Sequence, residues 1–421
     1  MVKGKINITE NRVPGETRRH VIWHCYAGYF LSGCLGQIFG TILPFLMEEA
    51  SLSYTLAGGL LSFMAIGNFF ASFCFPVLNR RFSHRRIIDS ITFLVPLVLL
   101  LFTRLLPLPF MYLLIFYMGL NKGTITIVNN LMVNVATGNS VKEMNYLHMT
   151  FAVGALTSPL LMSALLRAGC GWRMILYLMA VVSLGLFAAY RTMDYSCVET
   201  QGQNSPKSQN PESKEAKSDE ARTKKAKDAS FVPDAEFVLI AMIVFCYLGM
   251  ENTVNGWFVT YLKDVGIMSA PAAAAMVSVT WIMILAGRLT AGKVSARFRS
   301  CDLILFLLIV SFAASAVLVR SRTQITAVIS IAVLGFMMSA IYPTAMAAAG
   351  PLMRGSAAAM SLYTGISAVG GILIPQLIGM IADRAGIGSA MFCMVFDILL
   401  ATVLAFIWKM KFGSKLPNRS K

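Results

Sequence analysis

The chain has 421 residues, of which 57% are hydrophobic and 13% are charged. A soluble domain of this length cannot bury that much apolar surface, so the composition excludes an ordinary soluble protein and places most of the chain in lipid. The formal net charge is +16, and a strongly positive charge is also typical of nucleic-acid-binding proteins. Here the basic residues cluster in loops on one side of the predicted membrane, so no nucleic-acid partner is expected.

Apolar stretches of about 20 residues, each long enough to cross a hydrocarbon core of about 30 Å as a helix, recur along the chain. They lie near residues 20–47, 54–78, 87–106, 109–136, 145–167, 172–192, 235–262, 271–292, 301–319, 324–349, 357–382 and 388–409. The alternation typical of membrane strands is absent from them. The sequence therefore predicts an all-α membrane protein with 12 transmembrane helices.

Charge on the connecting loops predicts the orientation of these spans. The first residues, MVKGKINITENRVPGETRRH, are polar and are not expected to be a cleavable signal peptide. Lysine and arginine concentrate on the side that holds both termini, which is typical of cytosolic loops. We therefore expect a multi-pass protein of the plasma membrane, such as a bacterial inner membrane, with both termini in the cytosol.

The second half of the chain repeats the first. Five features recur with one spacing of 216 residues: Gly40 and Gly256, Arg81 and Arg297, Gly119 and Gly335, Gly154 and Gly370, Pro159 and Pro375. A constant spacing across separate spans predicts two pseudo-symmetric six-helix halves in parallel orientation. The predicted units are a tail (1–19), a bundle (20–192), a disordered polar linker (193–233), a second bundle (234–410) and a tail (411–421).

Two loops carry a resemblance to a known family. The segment FPVLNRRFSHRR after span 2 resembles the gating motif of the major facilitator superfamily, and GRLTAGKVSARF after span 8 is similar to its second copy. The residues that the resemblance assigns to gating are Asn79, Arg80, Arg81, Arg85, Arg86, Arg288 and Arg297. The resemblance implies a solute site midway through the membrane, between halves that rock around it.

Further segments resemble the fucose permease-like branch of that superfamily. They are LHMTFAVGALTSPL, YLGMENTVNGWFVTYL, SAIYPTAMA and GGILIPQLIGMIADRAG. That branch has acidic residues in spans 1 and 4, where this chain has Gly40 and Ile125. The resemblance therefore does not carry fucose, or the branch's proton sites, over to this chain.

Lys122 stands near the middle of span 4, in the apolar segment GLNKGTITIVNN. A charge at that depth costs about 2.5–3.5 kcal/mol on insertion scales, so it needs a partner or water. Thr126 and Asn129 follow it at helical spacing and extend a polar stripe. Two interpretations stay open, a structural ion pair and attraction for an anionic or strongly polar solute.

Glu251 in span 7 is the candidate partner of Lys122, because it also lies at mid-membrane depth. Asn252, Asn255 and Trp257 accompany it. A carboxylate whose cationic partner is taken by a solute becomes free to accept a proton, so Glu251 is a candidate proton-coupling residue. The alternative is that Glu251 only ties helices together.

Other polar groups at this depth are candidates for lining the path: Gln37, Tyr342 and Tyr363. Amides, hydroxyls and aromatic faces are the groups that sugars and similar solutes need. The segment GRLTAGKV nearly matches a phosphate-binding loop, but Val294 replaces the hydroxyl residue and no strand precedes it. No catalytic residue, cofactor or metal is expected, and the chain is predicted not to be an enzyme.

The sequence favours a secondary active transporter that moves a small polar or anionic solute, such as a sugar, a sugar acid or another organic anion, by alternating access with proton symport. Drug or metabolite efflux by proton antiport is the alternative, and a membrane receptor or scaffold on a transporter fold is another. The expected partners are the solute, protons and membrane lipid, and the expected state is a monomer.

Overall fold

The computed structural model describes residues 15–138, 140–195, 231–295, 297–353 and 356–413. Most of the predicted N-terminal tail, linker and C-terminal tail lies outside these ranges, so the predicted unit boundaries stay predictions. Within them the chain folds into α-helices, one short 3-10 helix at Gly350–Met353, and no strand.

Each half contains seven of these helices. The first half has α1 (Gly15–Glu49), α2 (Tyr54–Leu78), α3 (His84–Phe93), α4 (Val95–Phe102), α5 (Leu108–Thr137), α6 (Val141–Arg167) and α7 (Arg173–Thr192). The second half has α8 (Ala235–Asp264), α9 (Ala270–Ser295), α10 (Ser300–Arg320), α11 (Gln324–Met338), α12 (Ile341–Ala349), α13 (Ala357–Ala390) and α14 (Phe392–Phe412).

Two predicted spans are each built from a pair of helices. Span 3 breaks at Leu94, between α3 and α4, and Pro96, which has no backbone N–H, lies in the first turn of the second helix. Span 10 breaks between α11 and α12, and Pro343 explains the position because its ring would clash with the carbonyl group four residues earlier, at Ser339.

Eleven helical segments among the described residues are individually long and apolar enough to cross a membrane. The twelfth span is the α3–α4 pair, which runs from residue 84 to residue 102 and reaches about 28 Å at 1.5 Å per residue. The predicted fold, an all-α membrane protein with 12 spans in two six-span halves, is confirmed.

The sequence repeat is visible in the packing. Gly119 of α5 lies against the carbonyl oxygen of Met64 on α2, and Gly335 of α11 lies against that of Thr280 on α9. The members of both glycine–carbonyl pairs are related by the same 216-residue spacing. Gly40 of α1 contacts its own repeat mate, Gly256 of α8, so the pseudo-symmetry axis passes close to this contact.

The two halves meet along three pairs of helices: α1 with α8, α2 with α13, and α6 with α9. We call the face with the start of α1 and the end of α14 the proximal face, and the face with turns 50–53 and 265–269 the distal face. Helices α2 and α13 can approach each other closely because glycines lack side chains at their contact. Gly58 of α2 lies against the backbone of Pro375, and Gly379 of α13 lies against the backbone of Tyr54.

Ion pairs and hydrogen bonds close the distal face. Lys263 Nζ lies 3.0 Å from Glu48 Oε2, and the Tyr54 hydroxyl donates to Asp264 Oδ2 at 2.9 Å. Asp383 accepts hydrogen bonds from the backbone N–H groups of Tyr54 at 2.7 Å and Thr55 at 2.9 Å. A carboxylate of the second half therefore caps the first turn of α2 in the first half, at the positive end of the helix dipole.

Candidate functional site

A polar cavity lies between the halves at mid-membrane depth. Its volume is about 90 Å³, and it is lined by residues of α1, α2 and α5 from one half and α8 from the other. Four polar side chains face it: Asn68, Lys122, Asn252 and Asn255. The volume admits water but is well below the roughly 300–1,000 Å³ of drug-sized ligand pockets, so the halves hold this site in a contracted state.

Lys122 is the cation of this cavity. Its Nζ lies 5.8 Å from the centroid of the Phe151 ring, a cation–π distance. Gly36 of α1 leaves room beside it, since a Cβ built there would lie 3.6 Å from Nζ. Among the described residues no carboxylate oxygen lies within 4.0 Å of the ammonium group. A tight structural ion pair is therefore not what holds Lys122 in this conformation.

Glu251 lies on α8 of the opposite half, within electrostatic range of Lys122 but outside ion-pair distance. The hydroxyl of Tyr247 faces its carboxylate, and the ring of Tyr342 lies 5.9 Å from the Tyr247 ring. Tyr342 is itself within electrostatic range of Glu251. The acid thus lies close to two tyrosines of its own half and within electrostatic range of Lys122 in the opposite half.

Two asparagines of α8 complete the polar lining. Asn252 Nδ2 donates to the carbonyl oxygen of Gly371 at 2.9 Å, and Asn255 Oδ1 accepts from Trp281 Nε1 at 3.2 Å. Each amide has both an oxygen and an NH₂ group. One end of each side chain is therefore fixed by the protein, while Asn252 Oδ1 and Asn255 Nδ2 make no hydrogen bond to a described residue.

Aromatic rings lead from the cavity toward the proximal face. Phe151 of α6 meets Trp281 of α9 at 5.8 Å, and Tyr29 of α1 lies 6.0 Å from Phe151 and 5.5 Å from His148. His148 and Arg288 are exposed and lie within electrostatic range of each other, although they belong to opposite halves. Side chains of opposite halves are therefore exposed near each other on this side, whereas an ion pair and hydrogen bonds join the halves at the distal face.

Several predicted site residues lie away from the cavity. Asn129 is buried, with Nδ2 bonded to the Cys25 carbonyl oxygen at 3.3 Å and to the Tyr190 hydroxyl at 2.9 Å. Its role in this structure is to join α5 to α1 and α7. Trp257 is fully buried and donates to the Pro375 carbonyl oxygen at 3.0 Å, which ties α8 to α13.

The remaining predicted lining residues are satisfied locally or buried. The Thr126 hydroxyl donates back to the Lys122 carbonyl oxygen at 2.8 Å, within its own helix. The side-chain oxygens of Gln37 and Tyr363 are buried and make no hydrogen bond among the described residues. Of the predicted set, the structure brings Lys122, Asn252 and Asn255 to the cavity.

The predicted gating residues occupy two settings. Asn79 is the C-cap of α2, and Arg80, Arg81, Arg86 and Arg297 are exposed on the proximal face. Arg85 donates to the Arg191 carbonyl oxygen at 2.7 Å, which connects α3 to α7. Arg288 differs, because it lies inside α9 rather than in a loop, within electrostatic range of His148 of the other half.

Asn68, Tyr247 and Phe151 were not predicted as site residues. Asn68 lies in the segment AIGNFF of α2, where a single amide in an apolar helix carries little signal by itself. Tyr247 lies one turn before Glu251 on α8, so helical spacing from the acid would have identified it. Nothing in the sequence marks Phe151, whose place beside Lys122 depends on how α6 packs on α1.

Comparison with known proteins agrees with this architecture. The model of the Major Facilitator Superfamily matches residues 25–375, so the chain belongs to this superfamily of membrane transporters and is not an enzyme. The glucose/mannose transporter GlcP of Bacillus subtilis (strain 168) is 23% identical over 370 residues, which cover 84% of this chain and 86% of that protein.

Solved structures show the same fold. The nucleoside transporter NupG superposes with a TM-score of 0.70 at 17% identity, over 93% of this chain and 99% of that one. The fucose:proton symporter FucP of E. coli gives a TM-score of 0.57 at 15% identity, over 92% and 98%. The predicted superfamily is therefore confirmed, and the likeness to fucose permease holds at the level of the fold.

Proposed function

We propose that this protein is a secondary active transporter that moves a small anionic or strongly polar solute together with protons. The position of Lys122 carries the proposal. Its ammonium group faces a cavity shared by both halves and has no described carboxylate within 4.0 Å. A charge held at this depth is costly unless it meets water or an opposite charge. A solute anion supplies the opposite charge when the cavity is occupied.

The other groups around the cavity suit a hydroxylated solute. The free ends of Asn252 and Asn255 offer one acceptor and one donor, and Phe151 and Trp281 offer ring faces. Sugars and sugar acids present hydroxyl groups and apolar ring faces that match such a lining. The relative GlcP, named as a glucose/mannose transporter, supports a sugar-like solute, and Lys122 favours one that carries a carboxylate or another anionic group.

Proton coupling is proposed for Glu251. With the site empty, Lys122 lies within electrostatic range of Glu251, and a neighbouring cation is one of the factors that sets the proton affinity of a carboxyl group. A bound anion takes over the charge of Lys122, so Glu251 becomes easier to protonate. Solute and proton then enter together, and the neutralised site allows the halves to rock.

The membrane orientation follows from the same proposal. Basic residues such as Arg80, Arg81, Arg86 and Arg297 are exposed on the proximal face, as expected of a cytosolic surface. The distal face, where an ion pair and hydrogen bonds join the halves, is then the outer one. We place the protein in a plasma membrane, such as a bacterial inner membrane.

Ligand-induced thermal stabilisation of the purified protein tests the solute class. We expect sugar acids or other organic anions to raise the unfolding temperature of the wild-type protein in a concentration-dependent way. Lys122→Met should weaken binding of the anion by about 10- to 100-fold, because the substitution removes one charge-assisted hydrogen bond.

Lys409→Met is the matched control, since Lys409 pairs with Asp302 on the proximal face at 2.9 Å, away from the cavity. It should leave anion binding unchanged. Equal anion affinity in the wild type and Lys122→Met would overturn the role of the lysine. Stabilisation by bulky apolar compounds alone would instead favour efflux.

A further inference from the structure

A second concave site lies on the outer surface of the first half, between α1, α6 and α7. It is a groove of about 500 Å³ whose lining is almost entirely apolar. Trp23, Val153 and Val182 line it and are 61%, 40% and 46% exposed. These side chains face outward from the bundle, so the groove is separate from the cavity between the halves and opens toward lipid.

Gly185 of α7 forms part of the groove floor. A Cβ built on it meets no heavy atom within 4 Å, so the missing side chain leaves open space rather than a close helix contact. Within a membrane, an apolar hollow of this kind is filled by hydrocarbon. The groove volume of about 500 Å³ is much larger than one or two methyl groups and is suited to part of a lipid acyl chain.

Basic residues continue both walls of the groove toward the proximal face. Arg19 lies four residues before Trp23 on α1, and Lys142 lies four residues before Tyr146 on α6, one further turn from Thr150 in the groove. Spacing of four places each basic residue on the helix face that it shares with the lining. Both side chains are exposed, and Lys142 Nζ lies 5.7 Å from the Tyr146 ring centroid.

Among the described residues no carboxylate oxygen lies within 4.0 Å of the charged groups of Arg19 and Lys142. Glu143 Oε2 accepts a hydrogen bond from the Tyr26 hydroxyl at 2.7 Å. Glu16 is exposed in the first turn of α1, where the helix dipole favours a negative charge. Trp23 and Tyr26 pack edge to face at 6.0 Å at the mouth of the groove, as aromatic residues do at the level of lipid headgroups.

We propose that this groove is a binding site for one anionic phospholipid, with an acyl chain along α7 at Gly185 and the phosphate between Arg19 and Lys142. The lipid would fasten α1 and α6 to α7 on the outside of the first half. The proposal does not depend on which solute the cavity binds.

Native mass spectrometry of the detergent-purified protein tests the site, with dioleoyl phosphatidylglycerol and dioleoyl phosphatidylcholine as probes of equal chain length. We expect one phosphatidylglycerol to be retained in preference to phosphatidylcholine. Gly185→Leu should remove that bound lipid by filling the groove. Arg19→Gln and Lys142→Gln should each weaken phosphatidylglycerol binding about fivefold while leaving phosphatidylcholine unchanged.

Two control variants separate the groove from general effects. Leu184→Phe adds bulk to the neighbouring, 55% exposed position of α7, and Arg104→Gln removes an exposed charge on the distal face. Both should retain the lipid. Undiminished phosphatidylglycerol binding by Gly185→Leu, or equal binding of the two lipids by the wild type, would overturn the proposal. Displacement of the lipid by free glycerol phosphate would show a headgroup-only anion site and would also overturn it.

Discussion

Two glycines of α1 line the cavity and differ in the space that a side chain would find there. Gly36 leaves space beside Lys122, and a Cβ built there makes only ordinary contacts, the nearest at 3.6 Å. Gly40 lies one turn further on, and a Cβ built there would overlap the backbone carbonyl oxygen of Asn255. A backbone atom cannot rotate away as a flexible side chain can, so α1 and α8 approach this closely only with glycine at position 40.

Gly40→Ala should therefore destabilise the contact between the halves, whereas Gly36→Ala should be close to neutral. We expect a loss of about 1–3 kcal/mol for Gly40→Ala, the usual cost of overpacking, seen as a lower unfolding temperature of the purified protein. An unfolding temperature for Gly40→Ala equal to that of Gly36→Ala would contradict the close contact of α1 and α8.

The sequence predicts single residues well where one physical cost dominates. Lys122 is identifiable because a charge in an apolar span requires an explanation, and in the structure it lines the cavity between the halves. Asn129 shares the helix face of Lys122 but lies two turns away, where that face meets Tyr190 of α7 instead of the cavity. Helical spacing shows on which face of its helix a residue lies, whereas the residues that it contacts depend on how the helices cross.

Between elements, the first turn of α2 is one of the points where the second half is bonded to the first. Asp383 of α13 accepts from two N–H groups of this turn, while most helix caps are supplied from within the same chain segment. For comparison, Asp234 caps α8 from the residue just before it, accepting from the Phe237 N–H at 2.8 Å. The Asp383 cap exists only while the distal face is closed.

Asp383→Ala should shift the protein toward states that are open at the distal face. Loss of a cap worth about 1 kcal/mol corresponds to roughly a fivefold change in the ratio of closed to open states. Spin labels at Ser51 and Ser269, on the two distal turns, should report a longer distance population by pulsed electron resonance in a cysteine-free background. Asp234→Ala, which removes a cap within one half, should lower stability without changing that distance.

The helices themselves were largely predictable, because length and hydropathy in lipid leave few alternatives. The breaks within spans 3 and 10 were harder to place. Pro96 and Pro343 mark them in the structure, yet Pro44, Pro159 and Pro375 lie inside continuous helices. Whether a proline interrupts a membrane helix depends on which neighbours satisfy the freed carbonyl group, and this is decided by packing rather than by local sequence.

At the scale of the whole molecule, the two halves share a fold but carry different charged side chains in their membrane spans. Lys122 has Met338 as its repeat mate, and Glu251 has Leu35. The repeat therefore provides a symmetric scaffold, while these two charged residues, which lie within electrostatic range of each other, are unique to their halves. Such asymmetry suits a site in which one half holds the solute and the other holds the proton.

Proton-driven uptake into proteoliposomes tests this division of roles most directly, with the anion that stabilises the purified protein best as the solute. With an alkaline interior, the wild-type protein should accumulate the solute. Glu251→Gln should still exchange labelled for unlabelled solute but should lose accumulation. Glu236→Gln, on the same helix but bonded to Trp408 at 2.9 Å, should behave as the wild type. Accumulation by Glu251→Gln to the wild-type level would contradict proton coupling through Glu251.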